Sequence, residues 1–267
     1  MPELPEVEVT RRRLEERLVG KVFKKVVVRV EKLRLPVPVE IVEILPGKML
    51  CNIERRGKYL LFDCGSGWLL VHLGMTGYLR LLHSTCPPGK HDHLDFLFDD
   101  GQLLRFHDPR KFGIITWITG DPLQHPLLAG IGPEPLTGDF GGEYLFAMSR
   151  NRRVAVKQLI MDSSVVAGVG NIYANEALYE AGIKPDRPAG TMTLKESVEL
   201  ANVVRAVLEK SISEGSTFRV SEETVAYYPQ QLRVYGRGGE PCPGCHAPLD
   251  EIRLGNRSTV FCRTCQK

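Results

Sequence analysis

Cys242, Cys245, Cys262 and Cys265 stand in the pattern C-x2-C-x16-C-x2-C. Each C-x2-C pair can offer two thiolates to one metal, and the interval between the pairs suits a hairpin that brings them together. Four thiolates in a reducing compartment select zinc, with two disulfides or an iron centre as the alternatives. A metal with four protein ligands keeps no open position, so such a site holds shape rather than doing chemistry. Arg253 and Arg257 lie between the pairs, and Arg263 and Lys267 stand beside them. Guanidinium groups on a rigid ribbon suit phosphates, which points to a nucleic-acid-binding finger. A protein-binding or purely structural ribbon is the other reading.

Two further stretches hold unusual chemistry. In "VVAGVGNIYANEALY" (165–179), Gly168 and Gly170 let the backbone approach a ligand closely, and Asn171 is expected to cap the helix that follows. Free N–H groups at a helix start attract an anion. The third glycine of G-x-G-x-x-G is missing and no parallel βαβ unit surrounds the stretch, so dinucleotide binding is excluded. A tight turn between helices with no ligand is the plain alternative. Lys157 and the basic turn at 150–153 favour phosphate. The third cluster is "PELPEVE" at 2–8, two prolines and three glutamates directly after the start methionine. Pro5 suits the first turn of a helix, where its missing N–H costs nothing. Cys51, Cys64 and Cys86 are scattered beside apolar segments and read as reduced structural thiols.

The elements that must carry these groups follow from patterning. A helix is expected over 5–18, stopped by Gly20. From Val22 to Ile118 the segments "VVVRV", "KYLLF", "WLLVHL", "LDFLF", "QLLRF" and "IITWI" are short, β-branched and aromatic, which predicts an antiparallel sandwich. Residues 120–142 are dense in Gly and Pro and read as a linker. Helical periodicity then takes over: one helix over 143–161 with a basic turn, a second over 172–181, and a third capped by Thr193 and Glu196 and ending near Gly215. The expected class is α+β in two domains, with 1–119 as helix and sandwich, 143–232 as the helical domain and 233–267 as the finger. The chain has 267 residues, 43% of them apolar, and a net charge of +3, too mild to name a partner by itself. No apolar run reaches the ~20 residues that cross a bilayer, and no secretory leader is evident. A cytoplasmic protein is expected.

Seven stretches converge in order: "PELPEVE", "RRGKYLLF" (55–62), "HLGMTGYLR" (72–80), "KHDHLDF" (90–96), "DPRKFG" (108–113), "AGVGNIYANEAL" (167–178) and "VYGRGGEPCPGC" (234–245). On these the chain resembles the formamidopyrimidine-DNA glycosylases, bacterial base-excision repair enzymes that remove oxidised purines from DNA. The resemblance runs over essentially the whole length. It implies an N-terminal helix on a β-sandwich, then a helix–two-turn–helix domain with a zinc finger holding one structural Zn2+. It also implies that Met1 is removed and that Pro2 attacks C1′ of the damaged nucleotide. Such an α-amino group titrates near ~8, against about 10.4 for a lysine, so free amine is available at neutral pH. The resulting Schiff base permits β- and δ-elimination at the abasic site.

The same resemblance assigns Glu3 to proton transfer at the sugar ring oxygen, with Glu6 behind it. Lys58 becomes a general acid and phosphate contact. Arg257 becomes a phosphate contact that assists δ-elimination. Met75, Arg110 and Phe112 fill the gap left when the nucleotide is flipped out of the stack. His91, Arg152, Lys157 and Asn171 contact the backbone. The partner is double-stranded DNA with a damaged base, met by a monomer on the nucleoid, with no membrane involved. Residues 216–230 ("STFRVSEETVAYYPQ") form a shorter, glycine-free version of the loop that closes over the flipped base in many relatives. Two alternatives stay open. One is an endonuclease VIII-like enzyme for oxidised pyrimidines, although that group begins Pro-Glu-Gly-Pro-Glu. The other is a DNA-binding protein that recognises damage without cutting.

Overall fold

The structure, a computed structural model, describes residues 2–215, 218–220, 225–227 and 232–267. The chain forms two compact units: Met1–Ala129 with Gly215–Tyr228, and Gly130–Glu214 with Pro229–Lys267. Their boundary falls within the glycine- and proline-rich stretch 120–142. The finger and the helices share one unit, whereas Gly215–Tyr228 groups with the first unit.

In the first unit, α1 (Leu4–Leu18) begins with Pro5 in its first turn. Its N-cap is Glu3, and the Glu6 carboxylate accepts the Glu3 backbone N–H at 2.8 Å, one arm of a capping box. Leu4, Val7, Leu14 and Leu18 form the apolar stripe that this helix buries. The chain continues through β1 (Phe23–Val28), the short α2 (Ile41–Ile44), β2 (Asn52–Arg56), β3 (Tyr59–Asp63), β4 (Trp68–His72), β5 (Tyr78–His83), β6 (Asp92–Phe98), β7 (Gln102–His107) and β8 (Ile114–Ile118). These strands make two antiparallel four-stranded sheets, ordered β1-β6-β7-β5 and β2-β3-β4-β8. Between them lies a core that includes Phe23, Phe62, Phe96, Phe98 and Phe106, with Phe23 and Phe98 4.7 Å apart at their ring centroids. The six apolar runs seen in the sequence supply six strands. Of the other two, β2 carries two arginines and buries only Ile53, and β5, although it holds three leucines, fully buries only Leu79.

The second unit contains α3 (Gly142–Ser149), α4 (Val156–Met161), α5 (Asn171–Glu180) and α6 (Leu194–Ser213). The single helix expected over 143–161 is therefore two. Between them the chain is drawn out, because Ala189 N–H bonds to Val154 O, Gly190 N–H bonds to Arg152 O, and Ala155 bridges Pro188. Asn151, at φ +59, makes the turn. The expected cap of α6 is present: Thr193 accepts the Glu196 N–H at 3.2 Å, and Glu196 returns the bond to Thr193 N–H at 2.7 Å. The tail is a hairpin, β11 (Asp250–Leu254) and β12 (Arg257–Phe261), turned by Gly255 at φ +53 and Asn256 at φ +61. Two residues at positive φ suit the right-handed twist of a hairpin. Residues Phe218–Val220 and Val225–Tyr227 pair antiparallel as β9 and β10. Among the described residues no helix is long and apolar enough to cross a membrane.

Candidate functional site

Pro2 is buried, and Glu3 is 1% exposed at the first turn of α1. One helical turn further on, Glu8 faces β2. Its carboxylate takes Nε of Arg55 at 2.9 Å, Nε of Arg12 at 2.8 Å, and Nη2 of Arg11 at 3.2 Å. Burial pushes the Glu8 carboxyl up, but the three guanidinium groups outweigh it and hold the value at about 2, against an ordinary 4.5. Arg55 also donates to Gly57 O at 3.1 Å, and Arg11 to Ile53 O at 3.1 Å. Gly57, at φ +56, and Lys58 form the two-residue turn between β2 and β3. The ion pair thus fixes the turn that carries Lys58 against the helix that carries Pro2 and Glu3. Sequence reading missed this role for Glu8, although it lies within "PELPEVE" and Arg55 opens "RRGKYLLF".

The sign of the pH effect follows. A depressed carboxylate stabilises the fold fully above 4.5, and that contribution fades as pH falls from 4.5 toward 2. Glu8→Gln is expected to cost roughly 2 kcal/mol at pH 7, about 4–8 °C in Tm, because three cations lose their partner. The gap to wild type should shrink on acidification through that window. A constant gap from pH 7 to pH 2.5 in thermal melts would rule the carboxylate out as its source.

His72, at the end of β4 and the first letter of "HLGMTGYLR", is a second residue that sequence reading missed. Burial pushes its imidazole down to about 4, helped by the charges of Lys58 and Arg34. The ring is neutral at pH 7. Nδ1 accepts the Gly74 N–H at 3.1 Å, which puts the ring proton on Nε2. The ring also lies 4.7 Å from that of Tyr59. Lys58 lies near enough for its charge to act on this ring.

Met75, Arg110 and Phe112 come from two loops that touch. Gly74, at φ +69, lies so close to the Phe112 backbone that an added Cβ would stand 2.5 Å from its carbonyl carbon. Asp108 joins the loops: it accepts Thr76 Oγ1 at 3.0 Å and Gly113 N–H at 2.8 Å while fully buried. Arg110 lies over the Phe112 ring, 4.7 Å from its centroid, and Phe112 is 40% exposed. Phe112 is thus no core residue, and Met75 is half-buried. Asp108 was legible only as the first letter of "DPRKFG". His91 is half-buried, with its ring edge-on to His107 at 5.8 Å. Its loop is held by Arg105, which donates to Pro87 O at 2.9 Å and Cys86 O at 3.0 Å.

In the second unit, Arg257 is exposed at the hairpin tip and Arg152 is half-buried. Asn171 is the first residue of α5 and does not cap it; the cap position belongs to Gly170, in extended backbone. Its side-chain nitrogen donates to Ser258 O at 3.1 Å, and its Oδ1 is buried without a partner among the described residues. Lys157, expected to contact the DNA backbone, lies inward beside the finger hairpin. It is 1% exposed and donates to Ser258 O at 2.9 Å and Thr259 Oγ1 at 2.7 Å. A buried ammonium needs such acceptors, and they lie on the strand that presents Arg257.

The four Sγ atoms of Cys242, Cys245, Cys262 and Cys265 lie within 4.8 Å of one another. The Cys242–Cys265 pair is separated by 3.9 Å and the Cys245–Cys262 pair by 3.4 Å. Zinc–sulfur bonds of about 2.3 Å in a tetrahedron require edges near ~3.8 Å. The cluster fits zinc. Cys51, Cys64 and Cys86 are free thiols, but only Cys64 is buried, and burial raises it to about 12. Of the loop 216–230, only the backbones of β9 and β10 fall within the described residues. Met1 lies outside them as well.

A sandwich bearing a buried proline and glutamate, with a helical unit ending in a four-thiolate hairpin, defines a zinc-finger DNA glycosylase. Residues 1–115 match the formamidopyrimidine-DNA glycosylase N-terminal domain, 131–222 its H2TH domain, and 239–267 the zinc finger found in FPG and IleRS. The chain belongs to the formamidopyrimidine-DNA glycosylase family. It is 64% identical to the formamidopyrimidine-DNA glycosylase of Geobacter metallireducens and 61% to that of Pelobacter propionicus, over 100% of each chain. Among solved structures, it is similar to Lactococcus lactis Fpg in complex with an abasic-site DNA (34% identity, 99% of both chains, TM-score 0.91). The MutM (FPG) protein of Thermus thermophilus matches at 36% identity and TM-score 0.87, over 99% of this chain and 98% of that one.

Proposed function

We infer that this chain excises oxidised purines, 8-oxoguanine and formamidopyrimidines, from double-stranded DNA and then cleaves the abasic site by β,δ-elimination. It works as a base-excision repair enzyme on the nucleoid, in the cytoplasm, as a monomer. The observation that carries the catalytic reading is the placement of Pro2 and Glu3 at the start of a helix pinned through Glu8 and Arg55 to the Lys58 turn.

Freed of Met1, Pro2 has a secondary amine that adds to C1′ while the base leaves. The bond from C1′ to the ring oxygen opens in the same event, and loss of the amine proton leaves an iminium. Glu3 supplies the proton at the ring oxygen. The iminium withdraws electrons, so the bonds to the two flanking phosphates break in turn. Lys58 and the neutral His72 hold one phosphate and stabilise the leaving groups. Met75, Arg110 and Phe112 enter the duplex where the nucleotide has left: a flexible thioether, a planar donor and an aromatic wedge. Their loops are kept in step by Asp108. His91, Arg152 and Arg257 take further phosphates. Lys157 acts at one remove, by holding the Ser258–Thr259 strand behind Arg257.

Borohydride trapping tests the reading. Wild-type chain with a duplex containing 8-oxoguanine opposite cytosine should give a covalent protein–DNA adduct. DNA retention without any adduct or strand scission would leave only the non-cutting damage binder.

A further inference from the structure

The zinc finger is not self-contained. Tyr179, near the end of α5, sends its hydroxyl to within 3.4 Å of Cys242 Sγ and is 9% exposed. It packs with Val234, Leu249, Val260 and the cysteines themselves. A thiolate can only accept, so the phenol is the donor. Within the finger, Cys242 also accepts the Gly244 N–H at 3.4 Å, and Cys262 accepts the Cys265 N–H at 3.4 Å. Those two bonds are local to the knuckles. The tyrosine bond reaches in from another element, 63 residues away.

We propose that Tyr179 is a positioning residue of the zinc site, and that its hydrogen bond to the Cys242 thiolate links metal retention to the helical unit. Four thiolates around one zinc ion carry a net charge of two negatives. A buried cluster of that charge gains from every donor aimed at its sulfurs, and such outer partners typically change metal affinity 10–100-fold. A second link ties the other knuckle to the segment that follows α5. Ile183 O accepts from the Gln266 side chain at 2.8 Å, and Gln266 Oε1 in turn takes the Cys262 N–H at 2.8 Å. Gly244 leaves room for the hydroxyl, since a Cβ there would lie 3.1 Å from it. C-x2-C spacing identifies the ligands and says nothing of this donor.

The inference rests on zinc filling the four-cysteine cluster, and the experiment separates the two claims. Full-length protein is assayed for bound zinc, then mixed with excess chromogenic chelator, and release is followed in time. Wild type should hold one zinc per chain. Tyr179→Phe should release it about tenfold faster. Gly244→Ala, whose Cβ would stand 3.1 Å from the hydroxyl, should shift release in the same direction. Tyr173→Phe is the control, because its buried hydroxyl lies 2.7 Å from Ser211 Oγ on α6 and not at the metal; its release should match wild type. In the cobalt-substituted protein, Tyr179→Phe should move the thiolate-to-metal charge-transfer band to lower energy, as an unshielded sulfur donates more strongly. Release within twofold of wild type for both Tyr179→Phe and Gly244→Ala overturns the proposal. So does an equal acceleration by Tyr173→Phe, which would trace the effect to helix stability. A wild-type protein without zinc would overturn the zinc reading itself.

Discussion

A protein carrying one residue ahead of Pro2 is expected to form no trapped adduct and to cut an abasic duplex at least ~1,000-fold more slowly than the processed chain. The amide nitrogen that the extra residue creates has no free lone pair, whereas a terminal amine with a pKa near ~8 is about one-tenth unprotonated at pH 7. A lysine at about 10.4 would be unprotonated in only about one molecule in 2,500 at that pH, so no side-chain amine replaces it at comparable rate. The comparison needs two preparations that differ only in processing, each checked by intact mass. Both should bind an uncleavable abasic analogue with similar affinity, because the phosphate contacts assigned to Lys58, His91, Arg152 and Arg257 do not involve the terminus. Equal adduct yields from the two preparations would remove Pro2 from the mechanism.

Glu3→Gln should divide the two activities. The change is isosteric at a site 1% exposed, so the packing around α1 survives. Excision of an intact damaged nucleotide requires the sugar ring to open as the base leaves, and a positioned acid contributes about 100- to 10,000-fold to such a step. An abasic site already samples its open aldehyde. Strand cleavage there should fall by no more than roughly tenfold, while base excision falls by the larger factor. The measurement is a pair of single-turnover time courses, one on an 8-oxoguanine duplex and one on an abasic duplex. Equal losses on both substrates would show that Glu3 serves the fold or the Schiff base rather than the ring oxygen.

The parts of this site that the sequence revealed are those whose meaning is local. The four cysteines declare a metal because their spacing alone sets the geometry. Pro2 and Glu3 declare themselves by position. The apolar runs of β3, β4, β6, β7 and β8 announce strands, since both sides of each are largely buried. What stayed hidden depends on partners far along the chain. The acceptors of Lys157 lie 101 and 102 residues later, so its burial could not be read from its own neighbours in the chain. The break between α3 and α4 comes from pairing with residues 188–190, which no local propensity encodes. Arg55 meets Glu8 across 47 residues. Asn171 missed the cap by one position, within the ordinary uncertainty of a helix boundary.

Glu176 has a consequence for how the protein can be cut and rebuilt. Its carboxylate receives three successive backbone N–H groups, from Arg233 at 2.7 Å, Val234 at 3.0 Å and Tyr235 at 2.8 Å, and the residue is 5% exposed. A chain truncated before Arg233 would keep that charge in the interior with nothing to receive it, a loss of several kcal/mol. The last 35 residues are therefore no removable appendage, and the helical unit is not an autonomous module awaiting a finger. Splicing in a finger from elsewhere would succeed only if its lead-in offered the same three amides.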